Sequence, residues 1–359
     1  MYLTFITIIV LSLTPSLSAT TVASQPITDS QGSLYIVDRG YNRYLEPVTP
    51  RSYNQLRRIN TDGTNNTVLA NFFSEHVWVP PNPTAFTYSP VHRHFYIATS
   101  EGIVRTEFDG SNATTVIEEG GATALVIDGE KLWWGAPSIG LIKRADLDGK
   151  GVETFLNISQ GLRYDYNIGL TTALSDTTGL AIDSEEGFVY WGASSLPPDD
   201  AFHLPHLGSI RRAPLIANTT AVEILAEDIY LPGTLRLFGN TLYWAELARY
   251  RPGSTSLRRA IVPGKSPLRP GDLHIETLLD SGTSNVFPKN LIGVTGFTID
   301  DMEGRIWAVV ETGPPDQGSE KWGVLLQSDV DGGNWKVLEQ NVTQIGMPVG
   351  VEFAATEGA

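Results

Sequence analysis

Apolar and polar positions recur along this chain in one order, and the stretch from Gly179 to Leu215 holds it most completely. It reads GLAID, a turn EEG, the strand VYWGAS, a long loop and then GSIRRAPL. GLAID is short and apolar throughout, as a strand buried on both faces is. Val189 to Ser194 adds the paired aromatics Tyr190 and Trp191, which suit a pleated, half-buried surface, and Ser209 to Ala213 alternates Ile210 with arginines. The pattern predicts three successive strands.

The second strand of this unit recurs at five other places: LYIVDR (Leu34 to Arg39), FYIATS (Phe95 to Ser100), LWWGAP (Leu132 to Pro137), LYWAEL (Leu242 to Leu247) and IWAVVE (Ile306 to Glu311). In four of the five an apolar strand and a short turn come just before. The first begins at its second strand, and its missing partner stands at the other end of the chain, where PVGVEF (Pro348 to Phe353) has the first-strand pattern with nothing after it. The chain therefore closes on itself. Repeats of about 40 to 60 residues built from four short strands are the signature of a β-propeller. The expected fold is all-β, a single six-bladed propeller over 31–354 closed by pairing of the C-terminal strand with the first blade. Six stacked blades bury faces that none buries alone.

Asp-Gly at Asp62, Asp109, Asp148 and Asp331 reads as a two-residue hairpin joining strand three to strand four. Four residues before it stand Arg58, Arg105 and Arg144; Arg212, Arg259 and Gln327 hold the like place in the other blades. These are expected to be outer-strand residues whose stems cover apolar surface while their heads stay wet. Strand one to strand two and strand three to strand four are joined by mostly tight turns. The opposite rim carries the long loops, such as 71–83, 157–178, 195–207 and 280–294. Long ordered loops on one rim of a rigid scaffold are where function sits.

Charge and targeting narrow the class. The net charge of −15, from 40 acidic and 25 basic residues, argues against nucleic acid or an anionic membrane as partner. Leu3 to Thr14 is an apolar run too short to span a bilayer, followed by Pro15 and small residues; 1–19 reads as a signal peptide cleaved between about Ser18 and Ala23. Sequons at Asn65, Asn112, Asn157, Asn218 and Asn341 fit the secretory route, either as a secreted protein or in the secretory lumen. The absence of cysteine excludes disulfides and thiolate chemistry. A closed ring has no open edge to pair, so a monomer is expected.

The long loops are rich in aromatics and sparse in catalysts. Phe72, His76 and Trp78 come from one inter-blade loop, Tyr164 and Tyr166 from another, His203 and His206 from blade four, Arg249 and Tyr250 from blade five. Such a set suits a small apolar or aromatic substrate fixed by a few polar groups. His203-x-x-His206 lacks a further ligand cluster, so no metal site is assigned. His92-x-His94 falls in a strand-one to strand-two turn on the other rim. No G-x-S-x-G elbow is present.

LYIVD, VYWGA and LYWAE, together with IKRADLDG (Ile142 to Gly149), resemble the YWTD repeats of the LDL-receptor class B propeller. Asp38 and Glu246 keep the acid at the fourth motif position; Thr99, Ala136, Ala193 and Val309 stand in its place elsewhere. That resemblance implies a non-enzymatic extracellular ligand-binding propeller. In overall build and loop style the chain also resembles the fungal hetero-Diels-Alderases of tropolone sesquiterpenoid biosynthesis. This likeness implies a cofactor-free pericyclase that joins a tropolone ortho-quinone methide to a humulene-type polyene. Phe72, Trp78, Tyr164, Tyr166 and Tyr250 would hold the substrates, and His76, His203, His206 or Arg249 would donate to the quinone-methide oxygen. A third resemblance, to gluconolactonase-type lactonases, implies a divalent metal, with Glu352 and Asn167 as possible ligands.

Overall fold

The computed structural model describes residues 32–38, 55–71, 83–136, 140–158, 176–194, 208–229, 232–246, 256–266, 273–280, 291–300, 302–312, 323–338 and 348–355. They form six four-stranded antiparallel sheets, and no helix occurs among them. The protein is a six-bladed β-propeller. From the axis outward, blade two runs Pro83–Ser89, His94–Thr99, Ile103–Glu107 and Thr114–Ile117. Blades three to six repeat that order from inner strands Ala124–Asp128, Asp176–Asp183, Pro232–Phe238 and Leu291–Asp300.

Blade one is assembled from both ends of the strand series. Pro348–Ala354 is its inner strand and pairs with Ser33–Asp38, in the register Ser33 with Ala354 and Ile36 with Val351. The closure expected from PVGVEF is therefore present.

Each blade buries its faces against its two neighbours, so there are six apolar clusters rather than one core. Leu34, Ile36 and Val351 of blade one pack with Trp307, Val309 and Leu325 of blade six, for example. Trp133, Trp134, Trp191, Trp244 and Trp307, all on second strands, are fully buried. At one inner-strand position the neighbouring blade leaves no room for a side chain. A Cβ on Gly179 would lie 1.9 Å from the Gly233 carbonyl oxygen of the next blade, which accounts for glycine there.

The aromatic and arginine columns line up across the strands in every blade. Tyr35, Tyr96, Trp133, Tyr190, Tyr243 and Trp307 stand opposite Arg58, Arg105, Arg144, Arg212, Arg259 and Gln327. This register places Val310, not Val309, in the column of Asp38 and Glu246. The arginine stems cover rings as expected: Arg144 lies 5.0 Å from the Trp133 centroid and Arg212 4.3 Å from that of Phe188. Arg144 and Arg259 keep partly exposed heads, as expected, whereas the Arg212 head is wholly buried. Arg144, Arg212 and Arg259 each bind a strand-four glutamate, Glu153, Glu223 and Glu276. Arg212, fully buried, also donates to the carbonyls of Pro263, Gly264 and Ser266 in the next blade. Arg212, and Arg259 through the Val330 carbonyl, thus stitch one blade to the next, while Arg144 pairs within its own blade.

The Asp-Gly turns also differ from expectation. Gly63 N–H donates to Asn60 O and Asn60 N–H to Thr64 O, so Thr61-Asp62-Gly63 is a three-residue loop; the turns at Asp109, Asp148 and Asp331 repeat it. A two-residue hairpin of the favoured kind needs left-handed backbone at both central residues. Here only the glycines have positive φ, from 81° to 88°. Aspartate serves the turn through its side chain, because the carboxylate accepts from the N–H two residues on, at 2.9–3.0 Å in all four turns.

Two residues beyond the glycine the backbone is left-handed again, at Asn65, Asn112, Gly151 and Asn334. Asparagine tolerates that conformation, so Asn65 and Asn112 have a conformational reason to be where they are. Asn65, Asn112 and Asn218 are exposed on the tight-turn rim, Asn157 is half-buried in a strand, and Asn341 lies outside the described residues.

Candidate functional site

The side chains singled out on the long-loop rim, Phe72, His76, Trp78, Tyr164, Tyr166, His203, His206, Arg249 and Tyr250, lie outside the described residues, as does Asn167. The described strands that rise to that rim carry polar groups of their own. Second strands end there and third strands begin there, and in blades one, four and five these ends carry polar side chains.

In blade five, Ser256-Leu257-Arg258-Arg259 faces LYWAE across the sheet. Arg258 and Arg259 point to opposite faces, as neighbours in a strand must. The Arg258 side chain turns up toward the rim, its Nε 3.1 Å from Ser256 Oγ and 3.2 Å from Glu246 Oε1. Trp244 Nε1 donates to the same oxygen at 3.0 Å. The Glu246 carboxylate, wholly buried, thus gathers one indole and one guanidinium donor. Burial of an acid is tolerable when it is paired and hydrogen-bonded in this way.

Blade one solves the same position differently. Asp38, also wholly buried, lies 3.3 Å from Arg57 Nε, and Arg57 additionally donates to Gln55 Oε1. Gln55 in turn donates to Asn71 Oδ1 at 2.7 Å. Burial pulls the Arg57 guanidinium below the usual arginine range, against the opposing pull of Asp38.

Blade three has Ala136 in place of the acid, and Lys143 finds Glu119 of the inter-blade segment at 2.8 Å. Blade four has Ala193 there and no such substitute among the described residues. Its Ser209-Ile210-Arg211-Arg212 is nearly the same sequence as in blade five. Arg211 turns up in the same manner, Nε 2.9 Å from Ser209 Oγ, yet it has no carboxylate at ion-pair distance among the described residues. Burial lowers its guanidinium below the ordinary arginine range, and Glu227 opposes this only as a more distant charge. On the same face, paired with Arg211 across the sheet, stands Trp191, fully buried, whose Nε1 has no acceptor among the described residues. Trp191 and Arg211 are therefore cross-strand neighbours that lack, among the described residues, the oxygen that joins their counterparts in blade five.

The central channel is crossed by a further ion pair. Arg236, on the inner strand of blade five, binds Glu352 on the inner strand of blade one, with blade six between them. Burial raises the Glu352 carboxyl above its ordinary range even against Arg236. Glu352 thus has a cation as its partner. This does not fit the metal-ligand role that the lactonase resemblance implies for it, and among the described residues no group of three His, Cys, Asp or Glu side chains could hold a metal ion.

The residue that reading along the chain missed is Arg211. Its signal was nevertheless present: SIRR and SLRR are near copies, and only one of them faces an acid in the preceding strand.

No protein-family model matches the chain, and no curated protein matches it in sequence. Solved structures do match in fold. A chain of the nidogen/laminin complex is 13% identical with a TM-score of 0.55, over 90% of this chain and 98% of that one. The GH74 enzyme of Niastella koreensis is 14% identical with a TM-score of 0.51, over 85% of this chain and 43% of that one. The gluconolactonase XC5397 of Xanthomonas campestris is 18% identical with a TM-score of 0.46, over 71% and 73%. At these identities the likeness is one of fold: the chain is similar to propellers that bind and to propellers that catalyse.

Proposed function

We propose that this protein works in the secretory lumen or outside the cell, and that its long-loop rim takes a small, largely apolar or aromatic molecule. The reaction is a cofactor-free [4+2] cycloaddition of a tropolone-derived ortho-quinone methide with a humulene-type polyene. One carbon–carbon and one carbon–oxygen bond form at the expense of π bonds, closing a dihydropyran; no atom leaves and no proton moves. Such a step needs two things from a protein. Holding the partners face to face is worth up to roughly 7–11 kcal/mol in favourable cases, and a fixed donor must meet the negative charge that develops on the quinone-methide oxygen.

The observation that carries this reading is the half-buried Arg211 guanidinium, which reaches that rim without a carboxylate among the described residues to neutralise it. A cation kept partly dry and unpaired is a donor in reserve, stronger there than in water. On this reading the loop aromatics Trp78, Tyr164 and Tyr166 supply the stacking surfaces.

The test is to incubate the purified protein with a quinone-methide precursor and a humulene-type polyene, following adduct rate and enantiomeric ratio by chiral chromatography. A faster reaction giving one stereoisomer is expected. A slow mixture identical to the protein-free control would overturn the reaction and favour a rim that binds without catalysing.

A further inference from the structure

Blade five shows what the blade-four donors are built to hold. In blade five one carboxylate oxygen sits 3.0 Å from the Trp244 indole nitrogen and 3.2 Å from Arg258 Nε. Blade four repeats the indole, the guanidinium and the serine that steadies it, with Trp191, Arg211 and Ser209 in the same register and Ala193 where the acid would be. The Glu246 side chain exceeds that of Ala193 by one methylene and a carboxylate. A buried indole N–H without an acceptor costs free energy, and a half-buried guanidinium without an anion adds to that cost. Both costs fall if an oxygen anion enters from the rim.

We infer that blade four carries a binding site for an anionic oxygen, a carboxylate or enolate-type oxygen of the ligand, held between Trp191 Nε1 and Arg211 in the place that Glu246 fills in blade five. The ligand supplies the acid that Ala193 does not. Recognition is by a charge-assisted bond from Arg211 and a directional bond from the indole, so a neutral isostere is bound more weakly. An amide of the same shape keeps an acceptor but loses the charge. The site rests on the reading that ligands occupy this rim, and it does not depend on the cycloaddition.

Acetate is the simplest probe, titrated into the full-length protein at constant ionic strength with chloride as the counterbalance, with Tm as the readout. The expected result is a saturable upward shift for the native chain and none for acetamide. Ala193→Glu brings its own carboxylate and loses the response; Arg211→Met loses it as well. Glu246→Ala, which copies the vacancy into blade five, gains a second acetate-dependent increment. A native chain indifferent to acetate, or an Ala193→Glu protein that responds as the native one does, overturns the site. If acetate binds but the cycloaddition assay is negative, the site stands and the reaction falls. A cycloaddition untouched by Arg211→Met, with no acetate response, has the reverse meaning.

Discussion

The described strand ends of blades four and five carry the same tryptophan, arginine and serine and part at the acid position, Ala193 against Glu246, and that difference separates a finished structural element from an open one. VYWGA and LYWAE face SIRR and SLRR in the same register. In blade five the acid closes a buried triad with Trp244 and Arg258. In blade four, with alanine there, Trp191 has no acceptor and Arg211 no carboxylate among the described residues. The lesson concerns where to look for a site in a repeat protein. The repeat itself supplies the reference state, and a position where one copy keeps the donors but drops the acceptor is conspicuous against it.

The comparison can be broken most forcefully from the cationic side. Arg258→Met leaves the wholly buried Glu246 carboxylate without its cation, and a loss of about 3–5 kcal/mol is expected, read from urea unfolding. Arg211→Met, by contrast, should leave the unfolding midpoint at or above the native one, since no buried acid among the described residues depends on it. On the proposed reaction its cost falls on function: removing the donor to a developing oxyanion is expected to lower rate by about 10²–10³-fold, measured in the cycloaddition assay with substrate saturating. A protein destabilised equally by the two substitutions would erase the distinction drawn between the blades.

Glu246→Ala sharpens the same contrast at smaller cost. It strands the Trp244 indole N–H and turns blade five into a copy of blade four, at about 1–3 kcal/mol. Because Arg258 is partly exposed and retains Ser256, the loss should fall short of that for Arg258→Met in the same urea titration.

The smallest effect is one of pH, and it has opposite signs at two places. Hydrogen bonds from Thr64 and Ser111 hold Asp62 and Asp109 below the ordinary carboxylate range. The stability they contribute is complete above the unfolded carboxylate pKa and is lost as pH falls through the lower folded values. Glu352 is raised by burial, so its contribution is complete below the unfolded pKa and declines as pH rises through the folded one. Asp62→Asn should therefore flatten the acid limb of the stability profile, and Glu352→Gln should remove a decline on its neutral side. Tm measured across the acid-to-neutral range resolves the two.

Much of the ring was legible in the sequence because strand periodicity and aromatic placement are local properties. LYIVD, LWWGA and LYWAE announce a pleated, doubly packed strand whatever surrounds them, and PVGVEF lacked a partner only until the chain was read as a circle. The turns were half legible. Asp-Gly marked their positions, while the choice between a two-residue and a three-residue loop depends on backbone angles that the dipeptide does not dictate. The columns mostly aligned, but IWAVVE could be shifted by one residue because its valines are alike on both faces; only pairing with Gln327 fixes Val310. The stitching of arginine heads to the next blade was not legible, since Arg212 and Gly264 are distant in sequence and meet only through the stacking of neighbouring sheets. Arg211 was hidden for a related reason. Its significance is a missing partner, and absence shows up only when two pairs of facing strands are laid side by side.

Pairing of Ser33 with Ala354 makes the order in which the ring is spelled immaterial to its packing. The blade-four turn at Ser184 to Gly187 is largely exposed, and a Cβ on Gly187 would touch nothing. A chain reopened there and joined across Ser33 and Ala354 would keep all six apolar clusters. Such a permutant would begin and end beneath the donors of blade four, on the rim away from them. The protein could then be tethered to a support or fused to an enzyme that prepares the proposed ligand, with the rim of the blade-four donors facing outward.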